Sequence, residues 1–274
     1  MTDLILTASD GAAVRIASQG AHVCSWIPAG GTEQLFLSKT SGFAPGVAIR
    51  GGVPVIFPQF AGLGTLPKHG FARTSEWRLL QSGLLADGSA EAVYELRENI
   101  ARLTIWPHVF RATFTVTVAA NRLQMVLAID NTGDTTFQFT SALHTYLAVD
   151  DLRQARVQGL QGLQYRDSVS GEQHCTEHAA LLQIDGETDR IYGAVPEILE
   201  LQQPHQTLRI HVHGFADAVI WNPGQSAGKL SDLDAGGEQR MLCIEAATIL
   251  QPVCLTPGAQ WSGSQTLEVL PTAS

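Results

Sequence analysis

Two neighbouring segments of the chain alternate strictly between apolar and polar residues. Over 113–118, phenylalanine and valine alternate with threonine, and over 123–130 an apolar residue stands at every second position up to Asp130. Such alternation is typical of a β-strand with one buried face. Because only the short join 119–121 separates the segments, they are predicted to pair as an antiparallel hairpin.

The rest of the chain repeats this pattern and predicts an all-β fold with few short helices. Turn signals such as 28–31 and 222–224 separate the apolar runs, and only 98–105 and 226–234 could form a turn or two of helix. Many closely spaced strands predict an antiparallel β-sandwich, and the absence of repeats and linkers predicts a single domain over 1–274. The other predicted strands are 13–17, 21–27, 76–82, 91–97, 136–148, 180–184, 196–202, 208–212, 218–221, 241–249 and 264–269.

Composition narrows the classes of partner. Apolar residues make up 45% of the 274 positions, which is enough for a sizeable core. The formal net charge of -9 argues against binding to nucleic acid or to an anionic membrane, since both need a basic face. An anionic ligand must therefore be attracted by a local basic pocket.

Cysteine spacing and the N-terminal segment indicate the compartment. Cys24, Cys175, Cys243 and Cys254 form no CxxC pair, so they predict reduced thiols and neither a zinc framework nor a disulfide scaffold. The N-terminus lacks the basic and apolar regions of a signal peptide, and no apolar run approaches the ~20 residues that span a bilayer. We expect a soluble, cytoplasmic protein.

Two arginines stand in apolar backbone that is rich in glycine and proline. Arg50 opens the segment RGGVPVIFP and Arg73 ends the segment KHGFAR. A lone buried charge costs several kcal/mol or more, so each arginine must be paired. A guanidinium group matches carboxylate or phosphate oxygens with two parallel donors. Arg50, Lys68 and Arg73 could converge on one anion, or the arginines could pair with interior acids such as Asp217 or Glu76.

Two apolar strands each carry an ionisable side chain. In SALHTYLAV, His144 and Tyr146 share one strand face and could form the floor of a polar cleft, although the segment alone favours a histidine on a solvated face. In MLCIEAATI, Glu245 is the single carboxylate. Burial of a glutamate raises its pKa, and such carboxylates serve as general bases. Glu245 is therefore a candidate base, with a structural ion pair as the alternative.

Two further patterns are weaker. Asp189 lies beside Arg190 in TDRIY, which by itself indicates a solvated pair. His211 and His213 share a strand face, as in some metal-binding sheets, but no carboxylate follows at a short spacing. No metal site is predicted.

Six segments taken together resemble the glucose-6-phosphate 1-epimerases, or hexose-6-phosphate mutarotases, of the aldose 1-epimerase superfamily. They are RGGVPVIFPQF, KHGFAR, HTY, TDRIY, AVIWNP and CIEAA, in the order that this family shows, and the resemblance runs from about residue 15 to residue 268. It implies a galactose-mutarotase-like sandwich (a supersandwich) with a ligand cleft on its concave face. It also implies that the protein exchanges the α and β anomers of a hexose 6-phosphate without a metal or cofactor. D-glucose 6-phosphate is the expected substrate.

The resemblance assigns roles to residues of this chain. The acid falls on His144 and the base on Glu245, so that Glu245 would take the anomeric proton while protonated His144 gives one to the ring oxygen. The phosphate-binding arginines fall on Arg50 and Arg73. Lys68 stands where family members often carry an uncharged residue, and could add a point charge or be exposed. The other expected substrate-binding residues are His69, Asp189 and Trp221, the last of which could equally be a core tryptophan.

Other functions fit parts of the pattern. The same acid and base would serve a mutarotase for unphosphorylated aldoses, although Arg50 and Arg73 favour a phosphate. A non-catalytic carbohydrate-binding protein would need no acid/base pair, and a metal-dependent sandwich of the cupin type would need a bound metal. We therefore predict a monomeric isomerase whose partner is a small sugar phosphate, with no nucleic acid and no membrane.

Overall fold

The chain folds into short and long β-strands joined by turns, as its sequence predicts. The computed structural model describes residues 3–270. In chain order the strands are β1 (Asp3–Thr7), β2 (Ala13–Ala17), β3 (His22–Ile27), β4 (Val55–Ile56), β5 (Arg78–Leu84), β6 (Ala90–Arg97), β7 (Phe110–Ala119), β8 (Arg122–Asn131), β9 (Phe137–Leu143), β10 (Tyr146–Ala148), β11 (Arg156–Gln158), β12 (Gln164–Asp167), β13 (Cys175–Thr176), β14 (Leu181–Leu182), β15 (Thr188–Gly193), β16 (Ile198–Gln203), β17 (Gln206–His213), β18 (Asp217–Asn222), β19 (Met241–Leu255) and β20 (Gln260–Leu270).

Helical structure is sparse. One α-helix, α1 (Ile100–Ile105), begins at the Asn99 cap, whose side chain accepts a hydrogen bond from the Arg102 amide. It confirms the predicted helical turn at 98–105, whereas the second predicted helical segment contains a 3₁₀ turn. Over residues 3–270, no helix is long and apolar enough to cross a membrane. The 3₁₀ turns are Ala72–Thr74, Leu152–Gln154, Gly224–Lys229 and Gly237–Gln239.

The predicted hairpin is confirmed and is longer than the alternating pattern indicated. β7 and β8 pair antiparallel from Phe110 opposite Asn131 to Ala119 opposite Arg122. Alternate residues such as Phe114 and Leu127 are fully buried. Burial of one such side chain stabilises a fold by about 1.5–3 kcal/mol, so the hairpin has a strong preference for one register.

Two large antiparallel sheets enclose the core. Nine strands pair in the order β14-β11-β16-β17-β20-β8-β7-β6-β5, and the other sheet has the order β13-β12-β15-β18-β19-β9-β4 with β10 also paired to β19. One continuous apolar cluster contains residues from both sheets and from the three-stranded sheet β1-β2-β3. This arrangement confirms the all-β sandwich.

The eight-stranded sheet presents its second face to the cleft. Along β19, Leu242, Ile244 and Ala246 point into the core between the sheets, whereas Cys243 and Ala247 lie in separate clusters on the opposite side. Because side chains alternate between faces along a strand, every odd-numbered residue in this part of β19 faces away from the main core. Glu245 is one of them.

Candidate active site

One cavity collects the candidate residues that the sequence predicts. It lies on the second face of the eight-stranded sheet and has a volume of about 230 Å³, which suits one small molecule. It is lined by all eight of the predicted site residues, which come from loops and strands far apart in the chain: Arg50, Lys68, His69, Arg73, His144, Asp189, Trp221 and Glu245.

His144 lies at an interruption between two strands. The sequence predicted one strand over 136–148, which is wrong: β9 ends at Leu143 and β10 begins at Tyr146. The Thr145 amide donates to the Leu143 carbonyl at 2.9 Å, a γ-turn centred on His144, so this amide cannot bond to the neighbouring strand. The His144 and Tyr146 rings nevertheless stack, with centroids 4.8 Å apart and planes 6° from parallel, which confirms their predicted shared face.

Glu245 and His144 are direct neighbours. Glu245 Oε1 lies 3.2 Å from His144 Nδ1, and the two residues are 1% and 7% exposed. The contact is not aligned as a hydrogen bond, so His144 Nδ1 and Glu245 Oε2 are buried without a partner among the described residues. Unsatisfied buried polar atoms are costly and need a ligand or water to complete them. The cavity beside them is where such a ligand would bind.

Burial shifts both groups toward their neutral forms. It raises the pKa of Glu245 well above the ordinary 4.5, with a further rise from the Asp189 carboxylate. It lowers the pKa of His144 well below 6.5, aided by His69, Arg73 and Arg50. Both shifts favour a neutral His144 beside a protonated Glu245. The roles of His144 as acid and of Glu245 as base stay predictions.

The two arginines lie beside this pair but are paired differently. Arg50 donates to the Tyr146 hydroxyl at 3.0 Å and lies 3.1 Å from an Asp232 carboxylate oxygen. Arg73 donates to the Lys68 carbonyl at 3.1 Å, and among the described residues no carboxylate lies within 4.0 Å of it. The Nε atoms of both arginines are buried without a partner in residues 3–270. Arg73 thus supplies a positive charge that no described carboxylate contacts directly.

The interior acids proposed as alternative partners are engaged elsewhere. Asp217 accepts hydrogen bonds from the amides of Ile249 and Leu250, and Glu76 is exposed. Neither of these two acids is the partner of an arginine in the cavity, although Arg50 does pair with another acid. Asp232, the acid that does contact Arg50, was missed because nothing in its polar surface-like segment indicates a partner so distant in sequence.

Glycines place the Arg50 loop against the sheet. Gly52 has a φ of 59°, and a Cβ atom there would lie 2.2 Å from the Val23 carbonyl oxygen. Buried His22 approaches the Gly51 carbonyl oxygen with Nε2 at 2.8 Å. A side chain at Gly52 would push this loop away from β3 and displace Arg50 from the cavity.

His69 reaches the cavity from a strained backbone position. Its φ is 68°, and its Nδ1 accepts a hydrogen bond from the Ala61 amide at 3.2 Å. The proton of the neutral ring must then be on Nε2. Burial and the nearby Arg73 lower the pKa of His69 to about 3, so the ring remains an uncharged donor, 5.6 Å from the His144 ring.

Strands β15 and β18 form the next part of the wall. Asp189 pairs in register with Trp221, whose ring meets that of His144 edge-on at 5.9 Å. Trp221 is only half-buried, so it belongs to the cleft more than to the core. Lys68 is exposed at the rim. Sequence reasoning did not identify Ser168 or Leu63, which also line the cavity.

Neighbouring patterns have structural explanations. Arg190 does not pair with Asp189: it points to the other side of β15 and lies 3.2 Å from Glu177. His211 pairs with Glu268 at 3.0 Å on the nine-stranded sheet.

One possible metal-donor set exists among residues 3–270. It comprises His144, Cys243 and Glu245, whose ligand atoms lie within 4.8 Å of one another. Arg50 and Arg73 place positive charge close to it, which opposes a cation. The absence of a metal remains a prediction.

Comparison with known proteins places this cavity in context. A model of the aldose 1-epimerase family matches residues 3–268. A relative from Cenchrus ciliaris, whose name proposes a glucose-6-phosphate 1-epimerase, is 32% identical over 280 residues, with 98% of this chain and 85% of the relative covered. A relative of the same name from Escherichia coli K12 is 35% identical over 250 residues, which cover 89% of this chain and 83% of that protein.

A solved crystal structure has a similar fold. The crystal structure of YeaD, a proposed mutarotase from Salmonella typhimurium, superposes with a TM-score of 0.87 at 29% identity, and covers 94% of this chain and 87% of its own. The two chains therefore share one fold over most of their lengths.

Proposed function

Because the chain belongs to the aldose 1-epimerase family, we propose that it interconverts the α and β anomers of a hexose 6-phosphate. The substrate that we propose is D-glucose 6-phosphate. The observation that supports a phosphorylated substrate is Arg73, a half-buried residue beside the acid/base pair with a buried, unpartnered Nε and no carboxylate within 4.0 Å among the described residues. A partly buried cation without a contacting anion is unfavourable until a ligand supplies one. A sugar phosphate supplies that anion and a reactive anomeric carbon in one molecule.

The phosphate would bind between Arg50 and Arg73. Each guanidinium has a buried Nε that no described residue uses, and Nε with one Nη forms the two-pronged donor that fits a phosphate. Asp232 already holds part of Arg50, so Arg73 contributes the larger free charge. Lys68 at the rim can add a solvated point charge. This clamp sets the register in which the sugar meets His144 and Glu245.

Anomer exchange needs one acid and one base. Glu245 removes the proton of the anomeric hydroxyl while His144 protonates the ring oxygen, so that the bond between the anomeric carbon and the ring oxygen breaks and a carbonyl forms. The carbonyl group rotates, and the reverse proton transfers close the ring with the other configuration. Each positioned proton transfer contributes about 10²–10⁴-fold to a rate.

The bound phosphate also prepares the acid. Arg50 and Arg73 lower the pKa of His144, and a phosphate anion between them offsets their charges. The one proton of the pair can then move from Glu245 to His144, which leaves Glu245 as the ionised base. This transfer gives the protonated His144 and the ionised Glu245 that anomer exchange needs.

The remaining polar groups orient the ring. His69 offers an uncharged Nε2–H donor near His144, and Asp189 offers a carboxylate acceptor for sugar hydroxyls. Trp221 presents an aromatic surface to the same space. These contacts fix the sugar so that both proton transfers occur at the correct atoms.

The test is anomer exchange with fresh α-anomer, followed by NMR exchange or polarimetry. We expect kcat/KM for glucose 6-phosphate to exceed that for glucose by about 100-fold or more, because each charge-assisted hydrogen bond contributes ~1.5–3 kcal/mol and 1.4 kcal/mol is tenfold. Equal rates on both sugars would favour the plain aldose 1-epimerase, and binding without exchange would favour the non-catalytic carbohydrate-binding protein.

The pH profile of kcat/KM should have a broad plateau. Exchange needs one proton on the pair, and the second proton binds only below the lowered pKa of His144, so the acid limb should lie well below pH 6.5. The last proton leaves only above the raised pKa of Glu245, so the basic limb should lie well above pH 4.5. A ³¹P titration corrects for the substrate's own ionisation near pH ~6. An acid limb close to 6.5 after that correction would contradict the assignment.

The proposal includes a single domain over 1–274 that acts as a monomer in the cytoplasm. One apolar core shared by all three sheets supports the single domain. Sedimentation equilibrium would test the monomer, and a concentration-independent dimer mass would overturn it.

A further inference from the structure

We propose that Gln265 is a positioning residue that holds His144 and Glu245 at their working separation from the opposite sheet; this rests on the proposed function. Gln265 lies on β20 of the nine-stranded sheet and is fully buried. It does not line the cavity and contacts neither catalytic side chain. It acts through the backbone on the core side of the eight-stranded sheet.

Its amide joins the chain neighbours of both catalytic residues. Gln265 Nε2 donates to the Ile244 carbonyl at 2.9 Å, next to Glu245. Gln265 Oε1 accepts from the Thr145 hydroxyl, next to His144. With a carbonyl on one side and a hydroxyl on the other, only this orientation of the amide satisfies both partners. One side chain therefore links the two segments whose relative position sets the 3.2 Å contact of the pair.

The link lies at an interruption in the pairing with β19. The Thr145 amide bonds back to Leu143 in the γ-turn, so it is lost to the ladder with β19. The interruption lies between two paired positions, Leu143 opposite Ala246 and Tyr146 opposite Cys243. One backbone hydrogen bond remains between them, from the Ile244 amide to the Thr145 carbonyl at 3.2 Å. The Gln265 amide adds two hydrogen bonds at this gap. The gap can then expose His144 without letting it drift from Glu245.

A purely structural role explains the position poorly. Most of the side chains between the sheets are apolar, such as Leu127, Leu143 and Leu267. A buried amide costs about 1–3 kcal/mol unless its hydrogen bonds are made, and an apolar residue of similar size would avoid this risk. What the amide adds is direction, because it accepts and donates at defined places on the two segments. Alignment of a catalytic pair needs such directional contacts.

The main test is Gln265→Met, which keeps the length of the side chain but can neither donate to nor accept from its two partners. We expect kcat for glucose 6-phosphate to fall about 10- to 100-fold, since a 1 Å misplacement of catalytic groups can cost ~10²-fold. KM should change little, because the Arg50–Arg73 clamp is untouched. The plateau of the pH profile should narrow at both ends, because a loosened pair admits water and reduces the effect of burial on both pKa values.

Thr145 provides a matched pair of variants that keeps the inference testable if Gln265→Met does not fold. Thr145→Ser keeps the hydroxyl and should retain most of kcat, whereas Thr145→Val is isosteric with threonine but lacks it and should lose kcat as Gln265→Met does. The double variant Thr145→Val with Gln265→Met should be little worse than either single variant, because both remove the same link.

Asn131→Leu is the control for loss of stability alone. Asn131 is also a buried amide that reaches across the sandwich, and it donates at 2.9 Å to the carbonyl of Leu255 at the far end of β19. We expect it to lower Tm with kcat unchanged. If Gln265→Met matches wild-type kcat, or if Asn131→Leu lowers kcat equally, the inference is wrong. If the wild type shows no anomer exchange, the proposed function fails instead.

Discussion

Replacement of Glu245 by glutamine should lower kcat for anomer exchange of glucose 6-phosphate by about 10²–10⁴-fold, the contribution of a positioned proton transfer. Glutamine has nearly the shape of glutamate but cannot take up the anomeric proton. Burial favours the neutral form of Glu245, and glutamine is also neutral, so the substitution changes the charge beside His144 little. The variant should therefore fold normally and bind the sugar phosphate, which separates loss of chemistry from loss of structure.

The measurement is two-dimensional NMR exchange at equilibrium, combined with calorimetric binding of glucose 6-phosphate. Glu95→Gln is the matched control. Glu95 is also buried, but it lies on β6, away from the cavity, and pairs with Arg78 and Arg97. Its variant should keep the wild-type kcat. Wild-type exchange in Glu245→Gln would eliminate Glu245 as the base.

Replacement of Arg73 by alanine should raise KM for glucose 6-phosphate by about 10- to 100-fold and change the constants for glucose little. A charge-assisted hydrogen bond to phosphate contributes ~1.5–3 kcal/mol, and each 1.4 kcal/mol is tenfold. Among the described residues, Arg73 has no carboxylate partner to be left unpaired, so its loss should not destabilise the fold. The same change at Arg50 would strand Asp232 and the Tyr146 hydroxyl, which makes Arg73 the cleaner test.

Steady-state kinetics on both sugars gives the result, with inorganic phosphate as a competing anion. Phosphate should inhibit the wild type and inhibit Arg73→Ala more weakly. Arg78→Ala, which removes a cation that is 71% exposed outside the cavity, controls for the change in net charge. An equal change of KM for the phosphorylated and unphosphorylated sugar would remove the phosphate role of Arg73.

Much of the fold could be predicted because its signal is local. Strict alternation over 113–130 allows one buried face, and the short join leaves only antiparallel pairing, so the hairpin β7–β8 followed from neighbouring residues. Short strands such as β13 and β14 were missed or overextended, because two residues form a strand only when a partner is already in place. The interruption after Leu143 was missed for a related reason: the γ-turn uses no proline or glycine, and is held by contacts with β19 and β20.

The candidate site residues could be identified from the sequence by two signals, residue chemistry and motif order. The surroundings of these residues could not be predicted. Glu245 was conspicuous as one carboxylate in an apolar strand, whereas His144, Arg73 and Asp189 gained weight only through the order of motifs that the chain shares with a family. Arg50 and Asp232, which pair with each other, stand 182 positions apart in the sequence. No local pattern encodes such a contact.

The amino-acid sequence by itself determined the kinds of strand, the buried face of each and the chemical groups available, because period-two patterning and residue chemistry act between near neighbours. The tertiary structure alone decided which groups share a cavity and in what state. Burial in a common cleft moves the pKa values of His144 and Glu245 in opposite directions, and the described residues leave Arg73 without a carboxylate in direct contact. Those effects depend on distance and solvent exclusion, which only the assembled sheets establish.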